Sequence, residues 1–163
     1  MSLTTLARSG FTLWQGLTAA LNHTRPLLAL LARGYVAQAF FLSGLTKLRD
    51  WDITLLLFSD DYHVPLLPPT VAAWMGTGGE LALPVLLALG LGGRFAALGL
   101  SVMNVVAVIS LSDIAPAALQ QHITWGVLLA MLAVFGSGSW SLDGWLVKPW
   151  LRRAGWLVAE DAR

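Results

Sequence analysis

The chain has 163 residues, of which 56% are hydrophobic and 12% charged, with a formal net charge of +1. Soluble domains carry about 25% charged residues, so this composition lacks the charge to cover a water-facing surface and points to an integral membrane protein. Scattered basic residues exclude a clustered nucleic-acid-binding face, and the absence of cysteine excludes a disulfide, a thiolate metal site or a thiol relay of the chain's own.

The first segment, residues 1–25, places Leu3, Leu6, Leu13, Leu17 and Leu21, with Trp14, at roughly helical spacing, and Asn22 and His23 interrupt any signal-like apolar core. It predicts an amphipathic helix lying in the membrane interface. A four-helix transmembrane domain follows over residues 26–137, with helices at about 27–48, 71–91, 94–111 and 117–135. Each apolar run is close to the ~20 residues that cross a ~30 Å hydrocarbon core. Pro26 opens the first, Gly90, Gly92 and Gly93 separate the second from the third, and Asp113 with Pro116 separates the third from the fourth. The expected fold is therefore all-α, an integral membrane four-helix bundle with interfacial segments at both ends and a structured outer loop.

The loop from Arg49 to Thr70 holds Asp50, Asp52, Asp60 and Asp61 around an apolar ITLLLF, then a rigid YHVPLLPP. It is too short to span and reads as a surface or re-entrant cap over the outer mouth. Its acidic residues read as solvated groups and helix caps, or as an attractor for a cation. Residues 138–163, with SLDGWLVKPWLRRAGWL, read as a second interfacial segment whose arginines approach anionic lipid. Arg8, Arg25, Arg94, Lys148, Arg152, Arg153 and Arg163 fall on one side if the helices alternate, with Arg33 near that end; only Lys47 and Arg49 fall on the other. The positive-inside rule then puts both termini and the glycine-rich turn in the cytoplasm.

The polar residues within the spans carry the chemistry. Glu80 is the only acidic residue between Asp61 and Asp113, and it sits mid-way along its apolar run. An unpaired ion at the bilayer centre costs at least ~2.5–3.5 kcal/mol. Gln38 and Asn104 are expected at similar depth, Ser43, Lys47 and His122 nearer the outer side, and Arg33 nearer the inner side. A polar track through these residues would bind a ligand or carry protons, with Glu80 and His122 as the catalytic candidates and Arg33, Ser43, Lys47, Asn104 and Gln38 as ligand contacts. The bland alternatives are an Arg33–Glu80 pair that fixes helix register and a His122 satisfied by water or Gln121. A lone His with no second His or Cys nearby is a poor metal site, and no phosphate loop, dinucleotide fingerprint or catalytic triad is present.

Several spaced motifs resemble the DoxX family. ARGYVAQAFFLSGLTKL, with Arg33, Ser43, Gly44 and Lys47, looks like that family's first helix. GGELALPVLLALGLGGR, with Glu80, Pro84 and Arg94, is similar to its second helix and inner turn, and GSGSWSLD to its closing glycine-rich signature. His122 falls where many members carry a His, and YHVPLLPP resembles the outer loop of a common bacterial subgroup. The resemblance covers about residues 27–146. It implies a four-helix inner-membrane protein, named after a subunit of a thiosulfate:quinone oxidoreductase, with some relatives in membrane-associated oxidoreductase complexes.

The leading expectation is a redox-system subunit that binds a quinone or similar amphipathic molecule, receives electrons from a soluble partner, and has no covalent cofactor of its own. A non-catalytic scaffold anchored through the C-terminal segment and a small proton-linked carrier are the alternatives. The carrier gains the repeat symmetry it lacks only as a homo-oligomer.

Overall fold

The computed structural model describes residues 3–156. Helix α1 runs from Leu3 to Arg49, α2 from Trp51 to Leu56, α3 from Pro69 to Leu89, α4 from Gly93 to Ser110, α5 from Pro116 to Phe135 and α6 from Lys148 to Arg153. One π-helical turn, Leu57–Asp61, extends α2, and another, Asp143–Val147, leads into α6. Among the described residues, four helices are long and apolar enough to cross a membrane: the part of α1 from Gly10, and all of α3, α4 and α5.

The separate amphipathic helix expected before Pro26 does not form as its own element. Instead α1 continues through Pro26 for 47 residues. Proline's φ is already helical, so an interior Pro removes one backbone bond and kinks a helix more often than it ends one. Here the flanking Leu and Ala residues carry the helix onward.

The other helix ends follow from local chemistry. Pro69 and Pro116 each occupy a first-turn position, where the missing N–H would have had no partner. Gly90 ends α3 in the left-handed region (φ 66°), with Gly90 N donating to Leu87 O at 3.0 Å and Leu91 N to Leu86 O at 3.0 Å. That pair of bonds is a Schellman closure, which favours glycine. A Cβ at Gly90 would also collide with the Arg33 guanidinium and Ser141.

Helices α1, α3, α4 and α5 pack in a ring, α1 against α3, α3 against α4, α4 against α5 and α5 back onto α1. Val36, Phe40, Leu87, Leu100, Leu129 and Leu132 fill the centre. A second cluster, Phe58 with Ala72 and Ala73, docks α2 and its π turn on the first turns of α3, where Trp51 and Trp74 stack with ring centroids 4.3 Å apart. We call this the cap end of the bundle. There Tyr62 pairs with Leu111 in an antiparallel bridge and His63 N donates to Ser110 O at 2.8 Å, tying the loop to the end of α4. At the opposite end, residues 136–142 fold back beneath α1 and α4 before α6, whose neighbourhood exposes Trp145, Leu146, Trp150 and Trp156.

Candidate functional site

Ser43 and Lys47 stand one turn apart on the face of α1 that meets α3. Gly44 lies between them, and a Cβ there would come within 3.1 Å of the Glu80 Cβ and 3.0 Å of Leu81. That missing side chain lets α3 approach closely enough to present Glu80. The Lys47 ammonium donates to Glu80 Oε1 at 2.7 Å, to Glu80 Oε2 at 2.6 Å and to Ser43 Oγ at 3.0 Å. Ser43 Oγ donates to Glu80 Oε1 at 3.3 Å. The two charged side chains are only 12% and 14% exposed. All three ammonium protons are used, and the pair is electrically closed.

This pair lines a cavity of about 240 Å³ enclosed by α1, the π turn after α2, the loop 62–67, α3 and α4. Most of its wall is apolar, with Phe58, Met75, Val102 and Met103 among the contributors. Two further polar groups face it. Ser110 is 1% exposed, and its hydroxyl has no hydrogen-bond partner among the described residues. Tyr62 stacks on Phe58 at 5.2 Å, and burial, then the Glu80 and Asp61 carboxylates, push its phenol above the ordinary value. Tyr62 therefore stays a protonated donor well past neutral pH. A buried hydroxyl without a partner is costly, which makes Ser110 a waiting contact for a polar ligand atom.

The sequence-selected residues fall in four separate places rather than on one track. Glu80, Lys47 and Ser43 form the cap-end site. Asn104 and His122 bond each other: His122 Nδ1 lies 2.8 Å from Asn104 Oδ1, and Asn104 Nδ2 donates to the His122 carbonyl at 2.9 Å. The His122 ring meets Trp125 edge-on at 5.0 Å and contributes nothing to the cavity wall. Arg33 does not meet Glu80. It is fully buried at the other end, where it donates to the carbonyls of Trp140 and Ala88. Fourteen residues separate Arg33 from Lys47, about 21 Å along α1, so only one of them reaches Glu80. Gln38 is exposed on the outside of the bundle, in a shallow groove beside Pro84.

The end holding Arg33 has its own architecture. The Asp143 carboxylate accepts from Gly92 N at 2.9 Å and Gly93 N at 3.0 Å, and Asp143 N donates to Gly90 O at 3.0 Å. A residue fifty positions away thus caps α4, and Arg33 fixes the loop that carries it. This cluster is a structural clasp.

Reasoning from sequence missed Tyr62 and Ser110. Ser110 reads as an ordinary helix-end residue, and Tyr62 offers only one signal, being the sole tyrosine of the outer loop. No cluster of three or more His, Cys, Asp or Glu side chains fit to hold a metal occurs among the described residues.

Four long apolar helices, three of which wall a small cavity with a few polar groups, define a multi-pass α-helical membrane protein. The DoxX family profile matches residues 28–113, more than half of the chain. The chain belongs to the DoxX family. The match spans α1 from Leu28 through α4, including every cavity residue named above, and stops before α5. No curated protein and no solved structure matches the chain.

Proposed function

We propose that this protein is an inner-membrane subunit of a redox system that holds a quinone, or a similarly amphipathic small molecule, in the cap-end cavity. The cap end faces outward and both termini are cytoplasmic. The carrying observation is the cavity itself, apolar over most of its wall, with a closed Lys47–Glu80 pair and the unpartnered Ser110 hydroxyl among its few polar groups. Small-molecule sites combine an apolar lining with a few convergent polar groups in this way.

A quinone ring seated there would accept hydrogen bonds at its carbonyls from Ser110 and Tyr62. Reduction to the quinol takes two electrons and two protons. The electrons come from a soluble partner carrying a redox cofactor. The protons pass through Tyr62 and the Glu80–Lys47–Ser43 cluster, the only ionisable groups on the cavity wall among the described residues being Lys47, Tyr62 and Glu80. Asn104 and His122 support the packing of α4 on α5 in this reading.

The test is binding of a quinone to the purified protein in nanodiscs, compared with Ser110→Ala, Tyr62→Phe and Glu80→Gln variants. Each variant is expected to weaken binding while helical content is retained. Unchanged binding in all three removes the proposal. One observation favours a second reading, a scaffold for partner enzymes: Trp145, Trp150 and Trp156 stand more than 60% exposed beside Arg152 and Arg153. In that case deletion after Asp143 loses a co-purifying protein while quinone binding never occurs.

A further inference from the structure

The cavity is closed toward the cap end and open toward lipid. Above it, the Tyr62–Leu111 bridge, the His63–Ser110 bond and the Phe58–Tyr62 stack form a roof. On its flank, Met75 of α3 and Val102 of α4 line the cavity and are nevertheless 61% and 64% exposed on the outside of the bundle. Met75 lies six residues into α3, about 9 Å below its cap end, and Val102 lies eight residues before Ser110, about 12 Å below the cap end of α4. Both depths are inside the hydrocarbon layer. Side chains are also missing from α3 at this level. Gly79 sits against Met103, where a Cβ would come within 2.7 Å of the sulfur, and Gly78 faces open space. The cavity wall between α3 and α4 is made of Met75, Met103, Val102, Val106, Ala107 and Gly76, two unbranched methionines among small residues, the kind of surface that yields easily.

From this geometry we infer that the slot between Met75 and Val102 is a lateral passage from the bilayer, and that the ligand is a long-tailed, membrane-dissolved amphiphile with an uncharged head. The inference rests on the cap-end cavity being the binding site proposed above, and it specifies the ligand class and its route. The head is uncharged because the Lys47–Glu80 pair is mutually neutralised and no free counter-ion lines the wall. The head alone fits inside, since about 240 Å³ falls below the ~300–1,000 Å³ of pockets that enclose a whole drug-sized ligand. The polar groups lie at the two ends of the cavity: Ser110 and Tyr62 at the roof, and the closed Lys47–Glu80 pair at the floor, Glu80 being eleven residues into α3, about 16 Å below its cap end. The apolar flank between them holds the slot, so the tail leaves there and lies along α3 and α4 among acyl chains.

The test uses the full chain in nanodiscs and two probes with the same dimethoxy-methyl-benzoquinone head, one tailless and one bearing a decyl chain. Affinities are corrected for partition into lipid. Val102→Trp narrows the slot from α4, Met75→Trp narrows it from α3, and Val127→Trp places the same bulk on an exposed α5 position (65%) that does not line the cavity. The expected result is that Val102→Trp and Met75→Trp weaken the decyl probe by about tenfold or more, a change of ~1.4 kcal/mol. Tailless binding and the Val127→Trp variant are expected to be unaffected. Unchanged decyl binding in both slot variants overturns the passage while leaving the binding site intact, and so does equal loss of both probes, which would mean that the cavity itself had closed. Binding of neither probe to the unaltered protein removes the site and the passage together.

Discussion

At the scale of residues, the decisive arrangement is a lysine and a carboxylate that neutralise each other at membrane depth, with the Ser43 hydroxyl bonded to both. Lys47→Met leaves the Glu80 carboxyl with only the Ser43 hydroxyl for a partner, and breaking a buried pair costs about 3–5 kcal/mol. Replacing both Lys47 and Glu80 by Met should restore most of that loss, because an apolar pair of similar volume needs no desolvation. A double-mutant cycle measured by denaturant unfolding in mixed micelles decides the matter: additive losses would mean the pair is not coupled. Tyr62 gives a second prediction, set by pH. Its phenol is raised by burial and by the Glu80 and Asp61 charges, so the folded protein holds that proton after an unfolded chain, near ~10, has begun to release it. The associated stability is present below the unfolded value and is lost as pH rises through the folded one. In melting experiments between neutral and strongly alkaline pH, the unaltered protein should therefore lose stability faster than Tyr62→Phe once the pH passes about 10. Parallel curves would mean that the phenol is not buried. The sequence marks Glu80 as a charge in need of a partner and offers Arg33 as one alternative; the partner is Lys47. Arg33 and Lys47 share a face of α1, and counting residues cannot say which one meets the middle of an antiparallel neighbour. Gly44 decides it by admitting Glu80 beside Ser43 and Lys47, while Arg33 is taken by a carbonyl 107 residues away, a distance no local pattern reveals.

At the scale of elements, the four apolar helices were legible because proline, glycine and aspartate punctuate the hydrophobic runs at positions where each is physically required. Pro69 and Pro116 start helices, and Gly90 ends one. Pro26 carries the same signal and misleads: an interior proline costs a helix about 3 kcal/mol, yet α1 continues through it. The cap of α4 was not legible at all. Gly92 and Gly93 have no side chains with which to cap, and the acceptor, Asp143, comes from beyond α5. Asp143→Ala should cost about 1–2 kcal/mol, the upper range for loss of an N-cap, since two backbone donors lose their acceptor. The loss should be local, appearing as faster amide hydrogen exchange over residues 92–97 while the middle of α3 stays protected. Asp143→Asn, which keeps one acceptor oxygen, should recover part of the protection. Equal protection in all three proteins would show that the clasp contributes nothing to the helix start. Because this clasp lies at the far end from the cavity, neither substitution should alter ligand binding.

On the scale of the molecule, the bundle and its long first helix are energetically separate. At ~1.5 Å per residue the 47 residues of α1 extend about 70 Å, more than twice the ~30 Å hydrocarbon thickness. Only the part after Pro26 packs against other helices. Upstream, Phe11, Leu13, Trp14, Leu17 and Leu21 are all more than half exposed, and nothing approaches within 4 Å of the positions where Gly10 and Gly16 would carry a Cβ. Tertiary packing supplies most helix stability in proteins, so this stretch draws nothing from the core and gives nothing to it. The loop that closes the bundle behaves oppositely: Gly138 sits against Ala29 and Pro26, and Trp140 O binds Arg33. Removing residues 1–25 should therefore leave the melting temperature in detergent almost unchanged. Removing everything after Ser139 should lower it by several degrees, at roughly 2–4 °C per kcal/mol for a chain of this size, because Arg33 would lose the Trp140 carbonyl and α4 its cap. If the N-terminal deletion melts as early as the C-terminal one, the first helix is part of the cooperative unit, and the division of the molecule drawn from its packing fails.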